Sequence, residues 1–179
     1  TDIEKAFDRT WKNAVYHKLL QKGTPPRLVA SIRALYRTLR TKIKNSDTKP
    51  IDCEHGIPQG GTNSSFFFTT HINDIPDALL PLDSSFSLFN CPLPCLSFLD
   101  DLAAPINNID TIPSYLRALE SYAFKWKISY SLGDSCVLPI RAKIPHTSWP
   151  FASGFIHSTD HVRFLTNIFD TNLSWAPHI

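Results

Sequence analysis

The sequence predicts an α+β domain, and three observations predict it. Amphipathic helical spacing occurs near the start, again after a Gly-Thr-Pro break, and once more beyond residue 110. Short apolar runs bounded by turn formers lie between and after those helices, and 42% of the 179 residues are hydrophobic, enough to build a core. No internal repeat and no separating linker occurs, so residues 1–179 are read as a single partial domain.

The first helix is expected over 4–22, where Phe7, Trp11, Val15 and Leu19 recur every four residues and Gly23 follows as a stop. Thr24 and Pro25 restart the chain, and a second helix from Pro26 to Arg40 is expected to bury Leu28, Val29, Ile32, Leu35, Tyr36 and Leu39. On it Arg33, Arg37 and Arg40 fall at i, i+4 and i+7 and share a face opposite the apolar stripe. Spacing alone makes that a solvated charged face. A nucleic-acid partner would make it a phosphate contact.

Thr41 to Lys44, the turn Asn45-Ser46-Asp47 and Pro50 to Glu54 read as strand, turn and strand. A glycine-rich turn, His55 to Gly61, precedes the apolar run Phe66 to Phe68, read as part of a buried helix with a strand left open. The Pro- and Ser-rich stretch 76–95 is expected to be irregular with one short strand at Phe86 to Phe89. Leu96 to Leu99 is expected to be a strand that delivers Asp100 and Asp101 at its tip. Ile112, Leu116, Leu119, Ala123 and Trp126 mark a further helix, and 136–140, 151–156 and 162–169 read as strands.

Composition excludes some classes. A net charge of +2 permits nucleic-acid binding without requiring it. The four cysteines follow no secretory leader, which argues for reduced thiols, and Cys91 and Cys95 lack a second pair at zinc-site spacing. No apolar run approaches eighteen residues, so no membrane partner is expected. The chain opens at Thr1 and has no methionine, which reads as an excerpt of a longer reading frame.

The chemistry is concentrated in Asp100-Asp101. Adjacent carboxylates repel, and placing two at a strand tip is costly unless cations neutralise them. A pair of Mg²⁺ ions about 3.5–4 Å apart would do so while activating a hydroxyl and steadying a leaving oxygen.

The doublet stands in company that resembles reverse transcriptases of non-LTR, LINE-like retrotransposons. Asp2-Ile3-Glu4-Lys5-Ala6-Phe7-Asp8 is similar to the family's first catalytic motif, and Gly56-Ile57-Pro58-Gln59-Gly60 to its template and nucleotide loop. Ile72-Asn73-Asp74-Ile75-Pro76 is typical of the LINE-like branch, and Phe98-Leu99-Asp100-Asp101 is similar to the aromatic-x-Asp-Asp signature. Phe164-Leu165, Asp170, Leu173-Ser174-Trp175 and His178-Ile179 resemble the segment leading out of the palm.

The resemblance implies a palm with an antiparallel sheet and helices on one face, with fingers mostly absent and thumb absent. It implies RNA-directed DNA synthesis, with Asp2, Asp100 and Asp101 holding two Mg²⁺ (or Mn²⁺) ions. Phe7 would discriminate against a 2′-hydroxyl; Pro58, Gln59, Gly60 and Phe98 would contact nucleotide or template; and Arg33, Arg37 and Arg40 would touch the nucleic-acid backbone. The implied partners are an RNA template, a DNA primer, dNTP, the missing fingers and thumb, and an endonuclease of the same polyprotein, acting inside the cell and in the nucleus.

Several positions depart from that pattern. Gly61 and Ser65 stand where the family has a small hydroxyl residue and a proline, and Thr166 where glycine is common. Ser131 and Asp134 stand in place of an Asn and a Lys, the lysine being associated with protonation of the leaving pyrophosphate; Lys125 or Lys127 could replace it only with a register shift. The alternative reading is therefore a degenerate retroelement fragment, catalytically inactive, with at most residual nucleic-acid binding.

Overall fold

The computed structural model of the chain describes residues 1–37, 39–41, 49–53, 55–82, 86–142, 144 and 147–174. In chain order it runs β1 (Asp2–Ile3), α1 (Ala6–Arg9), α2 (Lys12–Gln21), α3 (Pro26–Arg37), β2 (Arg40–Thr41), β3 (Ile51–Asp52), α4 (Ser64–Ile72) and α5 (Ile75–Leu79). It continues with β4 (Phe86–Leu88), β5 (Cys91–Leu93), β6 (Leu96–Phe98), β7 (Asp101–Ala103), α6 (Ile112–Trp126), β8 (Tyr130–Ser131) and β9 (Cys136–Val137). Two hairpins close it, β10 (Ser148–Phe151) with β11 (Gly154–Ser158) and β12 (His161–Phe164) with β13 (Asn167–Asp170). The α+β class is as the sequence predicts. Contacts divide the chain into two compact units, Lys5–Asn73 and Thr1–Glu4 with Asp74–Ile179.

The Lys5–Asn73 unit is mostly helical. The single helix expected over 4–22 is broken at Thr10 and Trp11, whose backbones are extended. The break frees two carbonyls, and the loop after β3 uses both: Gly56 N–H donates to Thr10 O at 3.0 Å and Ile57 N–H to Phe7 O at 2.9 Å. Spacing could not show this, because Trp11 and Val15 keep their period across the break. Core packing joins α2 to α3 and α4 through Val15, Leu19, Val29, Phe67 and Phe68, all buried. Tyr36 meets Phe67 edge-on at 5.1 Å, and Phe7 lies 5.5 Å from Phe68. The buried Phe67 and Phe68 each contribute about 1.5–3 kcal/mol by leaving water.

Two lysines are buried in this unit. Lys12 Nζ donates to Cys53 O at 2.5 Å and Tyr36 O at 3.3 Å, and Lys18 Nζ donates to His71 O. Burial lowers the Lys12 pKa, and the backbone carbonyls meet the donors it would otherwise leave unsatisfied.

The second helix ends at Arg37 rather than Arg40, and only Val29 and Tyr36 of the expected stripe are buried; Leu28 and Leu35 are 52% and 66% exposed. Arg40 begins β2 and forms a 2.8 Å ion pair with Asp52. It is therefore not the third residue of a helical arginine face. The expected strand and turn over 42–48 lie outside the described residues. The Phe66–Phe68 run is helical, as the favoured reading had it, with Phe67 and Phe68 inward and Phe66 outward.

In the other unit β6, β7, β1 and β8 form one antiparallel sheet in that order. A second sheet, β10-β11-β9, contains a parallel β11–β9 pair, so the strands are not all antiparallel. The short strand expected at Phe86 to Phe89 is β4, but the stretch expected to be otherwise irregular also holds α5 and the hairpin partner β5, since Pro76 occupies a helix first turn, where its missing N–H is harmless. The helix 112–126 matches its expected bounds and buries Ile112, Tyr115, Leu116, Leu119, Tyr122 and Trp126. Tyr130 O–H on β8 donates to Leu119 O at 3.5 Å, and Ala152 N–H at the β10–β11 turn donates to Glu120 Oε1 at 2.6 Å, so α6 is tied to both sheets.

The runs 151–156 and 162–169 each span a hairpin rather than one strand. At the second, Leu165 and Thr166 have φ of 48° and 70°, the left-handed pair of a two-residue primed turn. Threonine is strained there and glycine is not. Thr166→Gly should therefore stabilise the chain by about 0.5–1 kcal/mol, read as a higher urea midpoint at unchanged slope.

Candidate carboxylate site

Sheet register assembles the acidic cluster. Asp2 on β1 is the cross-strand partner of both Asp101 on β7 and Ser131 on β8, and Asp101 is also paired with Phe98 on β6. Directly opposed residues project to the same face, so Asp2, Asp101, Ser131 and Phe98 share one side of the sheet. The alternate residues Ile3, Leu102 and Tyr130 are 4%, 2% and 7% exposed and form the buried side. Strand alternation thus produces an apolar face and a face bearing the acids.

The strand expected over 96–99 is present as β6 and the doublet follows it in the hairpin to β7, Asp100 in the turn and Asp101 opening β7, but all of β6 is exposed rather than buried. Leu99 holds that turn in the left-handed region, φ 51°, a strain of about 1–2 kcal/mol for a residue with a Cβ. Asp100 is anchored through its backbone, its carbonyl accepting from Ile3 N–H at 3.1 Å.

Burial, followed by the charges of Asp100, Asp134 and Asp101, raises the Asp2 pKa against a weaker opposing effect of the Thr1 amino group. Asp134 is thus a fourth acid of this site. Ser131 Oγ donates to Asp134 Oδ2 at 2.5 Å; Ser135 Oγ donates to Ser131 O at 2.5 Å and accepts from Asp2 N–H at 3.3 Å. The 131–135 turn therefore holds a carboxylate near Asp2. Sequence reading marks Asp134 as a departure from the family pattern but does not place it beside Asp2; the adjoining serines, both able to orient a carboxylate, were the available signal. Lys125 Nζ lies 4.9 Å from the Trp126 ring centroid, engaged on its own helix.

Carboxylate oxygens are the donors Mg²⁺ prefers. Among the described residues no group of three or more His, Cys, Asp or Glu is placed to hold a metal ion. Asp2, Asp100 and Asp101 nonetheless lie in one neighbourhood, since the charges of both members of the doublet act on Asp2.

The glycine-rich loop is built in the other unit. Pro58, Gln59 and Gly60 are exposed at its tip. Gly61 N–H donates to Pro58 O at 3.1 Å, and Ser64 Oγ donates to the same oxygen at 2.6 Å. A Cβ at Gly61 would lie 2.6 Å from Ser64 Oγ, so a side chain there would require Ser64 to give up its bond to Pro58 O. Phe7 is half-buried on α1 against Phe68, and Arg33 and Arg37 are exposed on α3. Asp170 is turned inward on its own segment, accepting from Ser174 N–H at 2.8 Å and Asn172 N–H at 3.0 Å. Trp175, His178 and Ile179 lie outside the described residues.

A family model described as reverse transcriptase (RNA-dependent DNA polymerase) matches residues 1–138. The chain belongs to the reverse-transcriptase family. The match includes the acids of β1, the β6–β7 hairpin and Asp134, and also the Gly56–Gly60 loop. This reverse-transcriptase chain is 24% identical, over 185 aligned residues, to an RNA-directed DNA polymerase from mobile element jockey of Drosophila funebris. That alignment covers 99% of this chain and 20% of the relative, so the chain spans about a fifth of the relative's length. No helix among the described residues is long and apolar enough to cross a membrane.

Proposed function

We propose that this chain is a palm segment of a LINE-like retroelement reverse transcriptase that no longer transfers dNMP, its remaining capacity being contact with nucleic acid. The observation that carries this reading is Asp134. Where the family resemblance expects a lysine near the reacting phosphates, the chain holds an acid, fixed by Ser131 and acting on Asp2. A cluster of four acids with no cation in the expected position repels the triphosphate it would have to bind. Two of the acids sharing one sheet face is also how the family would present them, and that register favours a second reading, an active RNA-directed DNA polymerase.

Primer extension separates the two. The chain, given an RNA template, an annealed DNA primer and dNTP, with Mg²⁺ and separately with Mn²⁺, is expected to give no product above background. Template-dependent extension that Asp101→Asn abolishes would establish the second reading and end the first. The metal-ligand roles of Asp2, Asp100 and Asp101, the sugar-gate role of Phe7 and the nucleotide contacts of Pro58, Gln59, Gly60 and Phe98 all belong to that second reading.

A further inference from the structure

The chain's small net charge conceals a partition. Lys5–Asn73 holds 12 of the 18 Lys and Arg but four of the 16 Asp and Glu, a net of +8, and the other unit carries −6. From Arg9 to Ser46 there are ten Lys and Arg and no acid at all. A solvated helical surface ordinarily interleaves the two signs, because i,i+4 pairs of opposite charge stabilise it and like pairs destabilise it. Two of the ten cations, Lys12 and Lys18, are buried with their amines on backbone carbonyls. Arg40 is matched by Asp52. On α3, by contrast, Arg27, Arg33 and Arg37 are exposed and the helix contains no acid.

Arg33 and Arg37 are one turn apart, with Cβ atoms about 5–6 Å from each other. We propose that this side of α3 is a sequence-independent contact for the phosphate backbone of a nucleic acid, Arg33 and Arg37 each taking one phosphate. The inference rests on the reverse-transcriptase reading for the class of polyanion. The helix geometry favours that class over an anionic membrane. A helix lying on lipid embeds an exposed apolar ridge with its cations flanking it. On α3 the exposed Leu28 and Leu35 sit about 170° around the axis from the two arginines, with buried Val29 and Tyr36 between. One surface cannot engage both.

The test uses the full chain and fluorescently labelled single-stranded RNA of two unrelated sequences, titrated across a salt series. Arg33→Ala/Arg37→Ala is expected to weaken binding equally on both sequences and to make the log K against log salt slope shallower by about 2, one for each lost phosphate contact. Arg33→Lys/Arg37→Lys should keep the original slope, since lysine still neutralises a phosphate, and Arg117→Ala/Arg163→Ala in the other unit should change nothing. The proposal is overturned by an unchanged slope in the alanine pair, by an equal loss in the Arg117/Arg163 pair, by absence of RNA binding at low salt, or by binding to phosphatidylserine vesicles in preference to RNA. Primer extension by the unaltered chain would remove the inactive reading and leave the slope result standing.

Discussion

Replacing Gly56 with alanine is expected to lower stability by about 3 kcal/mol, while the same change at Gly60 is expected to cause a loss of about 1 kcal/mol. Both glycines have φ near +80°, so both substitutions incur the left-handed strain of a side chain. Only at Gly56 does the new Cβ meet backbone. It would lie 2.5 Å from the Asp8 carbonyl oxygen and 3.0 Å from its carbon, whereas nothing lies within 4 Å at Gly60. Backbone atoms cannot rotate aside as a side chain can. Relief requires the loop to lift from the break between α1 and α2, disrupting the bonds of Gly56 and Ile57 to Thr10 and Phe7. Urea midpoints of the two variants check this. Equal losses would mean that dihedral strain, not close approach, governs the loop's first glycine.

That contrast shows what the sequence could and could not carry. Gly56 to Gly60 is recognisable as a turn from composition, but the helix break it packs against is invisible to periodicity, because Phe7, Trp11, Val15 and Leu19 keep their spacing through it. Helix α6 was legible from Ile112 to Trp126, since the spaced residues Ile112, Leu116, Leu119 and Trp126 are all buried in one core. Helix α3 was over-read: Leu28 and Leu35 satisfy the amphipathic pattern yet face outward, and the pattern cannot say how wide the neighbouring surface is. At the acidic cluster, the family resemblance implied that Asp2 and the doublet converge from different strands, and the sheet sets Asp2 opposite Asp101. The sequence could not show Asp134 brought beside Asp2, because register between strands distant in the chain is set by packing rather than by local spelling.

The same limit hid the role of Asp74, known from the sequence only as part of the Ile72 to Pro76 motif. It stands at the start of α5 and accepts a hydrogen bond at Oδ1 from the hydroxyl of Tyr122 on α6, a residue 5% exposed. Tyr122→Phe is expected to lower stability by about 2 kcal/mol at neutral pH, the usual range for a hydrogen bond to a charged group. Its pH dependence supplies a sharper check. Burial, and then the bond to Asp74, holds the Tyr122 phenol well above its ordinary value. A group whose folded pKa is raised contributes stability that is fully present below the unfolded pKa, about 10 for tyrosine, and is lost as pH rises beyond it. The gap between the unaltered chain and Tyr122→Phe should therefore narrow as pH climbs past about 10. Tyr130, also raised by burial, and the Cys95 thiol, pushed up to about 11, remain in the variant, so its alkaline slope is reduced rather than abolished. If urea midpoints of the two proteins instead fall in parallel, the Asp74 to Tyr122 bond does not join α5 to α6 in the way the geometry describes.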